Sequence, residues 1–72
     1  MAKDELNRIK VVLAEKSRTN KWLAEQLDKD QATISKWVTN TKQPDLKNLI
    51  RIAELLNVDM NALVRINNKN NQ

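Results

Sequence analysis

Apolar side chains recur at spacings of three and four along most of this chain, and glycine is absent. No stretch alternates apolar and polar residues long enough to make a half-buried strand, so the pattern reads as all-α. The spacing predicts helices over about Asp4–Glu15, Asn20–Leu27, Gln31–Val38, Leu46–Leu56 and Met60–Ile66. The first carries the stripe Leu6, Ile9, Val12 and Leu13, and the second buries Leu23, Ala24 and Leu27. The third has only Ile34, Trp37 and Val38 to bury, whereas the fourth is the most apolar, with Leu49, Ile50, Ile52, Ala53 and Leu56. The fifth is expected to bury Leu63 and either Val64 or Ile66. Thr19, Asp30, Asp45 and Asp59 stand where N-caps are needed, each offering an oxygen to an unpaired backbone N–H. Asn57 is placed to end the fourth helix in the left-handed conformation that glycine usually supplies.

The 72 residues make one domain, which should bury about 60% of the surface its unfolded chain exposes. Residues 1–66 form that domain, and the all-polar tail 67–72 is expected to be disordered. With no cysteine and no histidine, disulfides, thiolate zinc sites, cysteine nucleophiles and histidine-dependent mechanisms are all excluded. The lack of disulfides fits a reducing, cytoplasmic setting. Met1–Glu5 has no signal-peptide pattern, and no apolar run approaches the ~20 residues that span a bilayer. Asp28 and Asp30 read as turn and cap rather than an acid–base pair, so neither an enzyme nor a cofactor is implied. Thirteen Lys and Arg against nine Asp and Glu give a net charge of +4, which favours a polyanionic partner.

The informative stretch is Thr19–Val38, TNKWLAEQLDKDQATISKWV. Two short helices here are joined by a turn too tight for an antiparallel pair, so they must cross steeply. Ala24 allows the close approach, and Leu23, Leu27, Ile34 and Trp37 supply the contact. The third helix then turns Gln31, Ala32, Ser35 and Lys36 outward, a rod that a B-form major groove can accept.

The chain resembles the Cro- and phage-repressor-like helix-turn-helix family, also called the XRE family. The resemblance covers Leu6 to Ile66 and rests on Thr19-Asn20, Leu23-Ala24, Leu27, Gln31, Ile34-Ser35-Lys36-Trp37, Pro44, Leu46, Leu49, Ile52-Ala53 and Leu56. It departs at Asp28 and Asn40, where the family usually has glycine, and at Val38-Thr39, which replaces a common Glu-Asn pair. Asp and Asn tolerate left-handed backbone better than other residues with a Cβ.

The resemblance implies a compact five-helix lambda-repressor-like fold that binds double-stranded DNA. Gln31 would then read a base, Ala32 meet a thymine methyl, and Lys36 bond guanine or a phosphate, with Ser35 beside them. Backbone contacts would come from Arg18, Asn20, Lys21, Thr33, Thr39, Asn40, Thr41 and Lys42. Lys29, between Asp28 and Asp30, reads as a neutralised surface turn. Trp37 reads as core, while Trp22 either shields the first helix or abuts DNA sugars. Met60, Leu63, Val64 and Ile66 are candidates for a homodimer interface, which would place two reading helices about 34 Å apart on a palindromic operator. The implied output is transcriptional regulation, with repression the simplest form. The competing reading is a module that grips a protein partner such as a toxin. A protein groove would want large apolar anchors on the third helix, and that face is small and polar.

Overall fold

Each helix must satisfy its terminal backbone groups locally, and the chain does so with a repeated device. The structure, a computed structural model, describes residues 5–64, which form α1 (Ile9–Glu15), α2 (Asn20–Leu27), α3 (Gln31–Val38), α4 (Leu46–Leu56) and α5 (Met60–Leu63). Thr19 Oγ1 accepts the Trp22 N–H at 3.0 Å, Asp30 Oδ1 accepts the Thr33 N–H at 2.8 Å, and Asp45 Oδ1 accepts the Asn48 N–H at 3.0 Å. Asp59 stands at the start of α5 without a side-chain capping bond; its carbonyl accepts the Ala62 N–H at 2.9 Å.

At the C-termini, four residues with a Cβ adopt positive φ: Ser17 (57°), Asp28 (58°), Asn40 (63°) and Asn57 (59°). Each sits in the same double bond pattern. Asp28 N–H donates to the Glu25 carbonyl and Lys29 N–H to that of Ala24, at 3.3 and 2.9 Å. Asn40 and Thr41 do the same to the carbonyls of Trp37 and Lys36, at 3.1 and 2.9 Å. Ser17 and Arg18 repeat the pattern behind α1, and Asn57 and Val58 behind α4. The left-handed turns at Asp28, Asn40 and Asn57 follow the sequence reading; Ser17 was not expected to hold one.

Stopping each helix within one residue lets five short rods turn around a single core. Ile9, Val12 and Leu13 of α1 meet Leu23, Ala24 and Leu27 of α2, and Ile34, Trp37 and Val38 of α3. Ile52, Ala53 and Leu56 of α4 and Leu63 of α5 close it. Trp22, Leu49, Leu55, Val58 and Met60 pack at its margin. Leu46 and Ile50 stay on the outer face of α4, 66% and 41% exposed. No helix among the described residues is long and apolar enough to cross a membrane.

Two expectations fail at the ends. The first helix starts at Ile9 rather than Asp4, which lies outside the described residues, and Leu6 is 55% exposed instead of joining the buried stripe. Tertiary bonds outcompete the helix there. Asn7 pairs with Val64 in an isolated antiparallel bridge, and the Arg8 N–H donates to the Leu63 carbonyl at 2.7 Å. The Arg8 guanidinium adds a bond to the Ala62 carbonyl at 3.0 Å. The same pairing ends α5 at Leu63 and makes Val64 extended rather than helical; Ile66 lies outside the described residues.

Two outcomes follow for stability. Ser17→Gly removes the steric cost of a left-handed serine, and should raise the unfolding free energy by about 0.5–1 kcal/mol in a urea titration. Asn40→Gly should instead lower it by about 1–2 kcal/mol, because the Asn40 side chain makes bonds that glycine cannot. Equal gains from both would show those bonds to be without effect.

Acid should weaken the fold through its caps. Hydrogen bonding from the Thr33 side chain and then from its N–H holds the Asp30 carboxyl below the ordinary aspartate value. The Asn48 N–H, aided by its side-chain amide, does the same for Asp45 against a smaller desolvation effect. Both groups release their proton more readily when folded, so their contribution is complete above about pH 4 and is lost as pH falls through the lower folded values. Thermal unfolding between neutral and acid pH should therefore show a shallower decline in Asp30→Asn/Asp45→Asn, which keeps both acceptors without the charge.

Candidate nucleic-acid interface

The inner side of α3 is fixed by the burial of Ile34, Trp37 and Val38. At 100° per residue the positions 31, 35, 32 and 36 fall on one arc of about 140° that adjoins the buried arc without overlapping it. Gln31, Ala32, Ser35 and Lys36 are all exposed there, with Thr33 half-buried at the edge. The result is a low ridge with no large apolar group. Lys36 sits in the last turn, where the helix dipole favours a cation.

The first turn of α2 has backbone N–H groups without an intrahelical acceptor, of which Trp22's is taken by Thr19 Oγ1. Lys21 is exposed beside it and Asn20 half-buried. The Arg18 guanidinium lies 4.6 Å from the centre of the Trp22 ring. That contact accounts for Trp22: it is half-buried against the core and its ring holds a cation next to the α2 N-terminus.

The loop after α3 forms the other flank, and here the structure sorts the expected contacts. The Thr41 and Lys42 N–H groups both donate to the Lys36 carbonyl, at 2.9 and 3.1 Å. Thr39 Oγ1 donates to the Ser35 carbonyl at 2.9 Å, and a 2.9 Å bond links it to Thr41 Oγ1. Asn40 turns inward. Its Oδ1 accepts the Asn7 N–H at 2.9 Å and the Gln43 side-chain amide at 3.0 Å, while its Nδ2 donates to the Asn7 carbonyl at 3.2 Å. The Asn40 side chain, expected among the backbone contacts, holds the loop to the protein. Lys42 is exposed and Thr41 ends the hydroxyl relay, so these two present the outward groups of the loop.

Between the loop and α4 runs a groove lined by Thr33, Lys36, Trp37, Lys42, Gln43, Asp45 and Asn48. Lys36 and Lys29 also face Asp30, so part of the cationic charge on this side is matched within the protein. Sequence reading did not single out Asn7, Gln43 or Asn48. Asn7 is 6% exposed, yet an isolated asparagine near a helix start carries no sequence signal of long-range burial.

Of the four apolar candidates for contact with a second copy, Leu63 is wholly enclosed in the core of its own chain. Met60 and Val64 are half-buried. Ile66 lies outside the described residues. Among the described residues no group of three or more His, Cys, Asp and Glu is arranged to hold a metal ion.

A comparison with curated proteins finds no match. A crystal structure of a protein from Bacteroides fragilis, provisionally described as DNA-binding, superposes with a TM-score of 0.82. It is 62% identical in sequence, and the match covers 83% of this chain and 97% of that one. A family model described as "Helix-turn-helix" matches residues 9–63, from the start of α1 to the end of α5. The chain belongs to the helix-turn-helix family, in its XRE/Cro-type form.

Proposed function

We propose that this protein binds double-stranded DNA in a sequence-dependent way, with α3 in the major groove, and regulates transcription by occupying a palindromic operator as a homodimer. The observation that carries the reading is the division of α3. Three residues are locked in the core, and an exposed ridge of Gln31, Ala32, Ser35 and Lys36 faces away from it. The description of the Bacteroides fragilis protein supports it.

Gln31 has the paired donor and acceptor that match adenine N6 and N7, and Lys36 can donate to guanine O6 and N7. Ala32 fits against a thymine methyl, and Ser35 leaves room for close approach of the helix. Thr33, at the rim of the groove toward α4, and the exposed cations Arg18, Lys21 and Lys42 would meet phosphates on either side, with Asn20 at the α2 N-terminus. One such helix contacts few base pairs, so useful specificity calls for two copies on successive turns of the groove. Met60 and Val64, at the margin of α5, are the described residues that could meet a second copy. A protein-gripping role has less support, because the ridge offers no anchor of the size that protein interfaces use.

Selection from a random duplex pool, followed by titration of variants, tests this directly. Gln31→Ala and Lys36→Ala should each lose about 1–3 kcal/mol of discrimination at particular base pairs. Lys21→Ala and Lys42→Ala should weaken binding to every duplex alike and lower the salt dependence by about one phosphate contact each. No enrichment from the pool, or one shared behaviour for both groups, would refute the placement of the reading ridge. Sedimentation with and without the selected duplex should show a two-to-one complex; a strict monomer in both would remove the homodimer.

A further inference from the structure

Asn7 is the only polar residue buried among those described, and every buried side-chain polar atom there has a partner. Its bonds run to one place. Nδ2 donates to the Trp37 carbonyl at 2.9 Å and to Gln43 Oε1 at 2.7 Å. Its backbone N–H and carbonyl are both engaged by the Asn40 side-chain amide, and Gln43 closes the ring onto Asn40. Oδ1 accepts the Ile9 N–H at 3.0 Å, which fixes the side chain to the start of α1. From behind, the Arg8–Leu63 bond and the bridge to Val64 pin the same segment against the end of α5.

These contacts span 30 to 36 residues of sequence, and together they clamp the turn between Trp37 and Gln43. Thr41 and Lys42 lie inside that clamp. Their own N–H groups tie only to Lys36 within the helix, so nothing in those local bonds sets the angle of the loop to the rest of the protein. Asn7 does. A glycine at position 40 would relieve the left-handed backbone but remove three of the bonds, which gives asparagine a reason to stand there.

We infer that Asn7 is a positioning residue for nucleic-acid binding: it holds the loop after α3 in the geometry that meets the phosphate backbone, without touching DNA itself. The inference rests on the DNA reading given above. A pre-ordered loop loses less conformational freedom when its groups engage a phosphate, so release of the clamp weakens backbone contacts more than base recognition.

The test uses the full chain and a fluorescent mixed-sequence duplex, titrated between about 50 and 200 mM salt. Asn7→Ala should bind about tenfold more weakly near 0.1 M salt, with a log–log salt slope shallower by about 1, as for one lost phosphate contact. Ranking of competing duplexes should stay as in the wild type. Amide exchange at Thr41 and Lys42 in the free protein should quicken. Asn40→Gly removes the other half of the clamp, the bonds to the Asn7 backbone and to Gln43, while suiting the turn, so it should reproduce these changes and serves in place of Asn7→Ala if that variant does not fold. The double variant should bind no worse than either single one. Leu56→Ala, a core truncation in the last turn of α4, controls for stability and should keep the wild-type slope. A folded Asn7→Ala with unchanged slope and unchanged loop exchange would overturn this inference alone. Failure of the wild-type chain to bind any duplex would instead remove the DNA reading, and the exchange measurement would still report whether the clamp orders the loop.

Discussion

Where a helix stops decides where the next one can go, and in this chain every stop of α1 to α4 uses a left-handed residue that is not glycine. The turn at each site removes two orphan carbonyls from the end of the helix and redirects the chain within one residue. Helices of seven to eleven residues have too little internal bonding to be stable alone, so their apolar faces must converge on one core. That convergence depends on the stops. If α2 ran past Asp28, Ile34 and Trp37 could not both reach the core beside Leu23 and Leu27, and the outward ridge of α3 would lose its direction.

The same principle links fold to function. The ridge owes its exposure to the burial behind it, and a helix held by Ile34, Trp37 and Val38 cannot roll about its axis without exposing one of them. The flanks are positioned by different means. At α2 the capping threonine and the Arg18–Trp22 contact act locally. After α3 the loop is held by hydrogen bonds from a residue far away in sequence, so its order depends on tertiary folding. Buried polar networks of this kind are stabilising only when fully partnered, and this one is.

Much of the candidate site could be read from spacing. Gln31, Ala32, Ser35 and Lys36 are exposed together because Ile34 and Trp37 fix the phase of a helix whose period is known. The capping roles of Thr19, Asp30 and Asp45 were equally legible, since each lies one residue ahead of an apolar period. The termini of the fold were not. Leu6 matched the apolar stripe and Val64 matched the helical one, yet Asn7 and Val64 pair across the protein and both helices are cut short. Asn40 was legible as a left-handed turn but not as an inward-facing side chain, because its partners are Asn7 and Gln43.

By itself, then, the sequence determined the helices α2, α3 and α4, their caps, the faces they bury and the charge they carry. Those properties follow from residues within a turn or two of one another. The tertiary structure alone decided where α1 begins, that Leu63 belongs to the protein's own core, and that Asn7 clamps the loop beside α3. Each of these is a contact or a burial that depends on the assembled chain and links residues distant in sequence. Periodicity records the face a residue occupies; it holds no information about which distant backbone group will arrive to meet it.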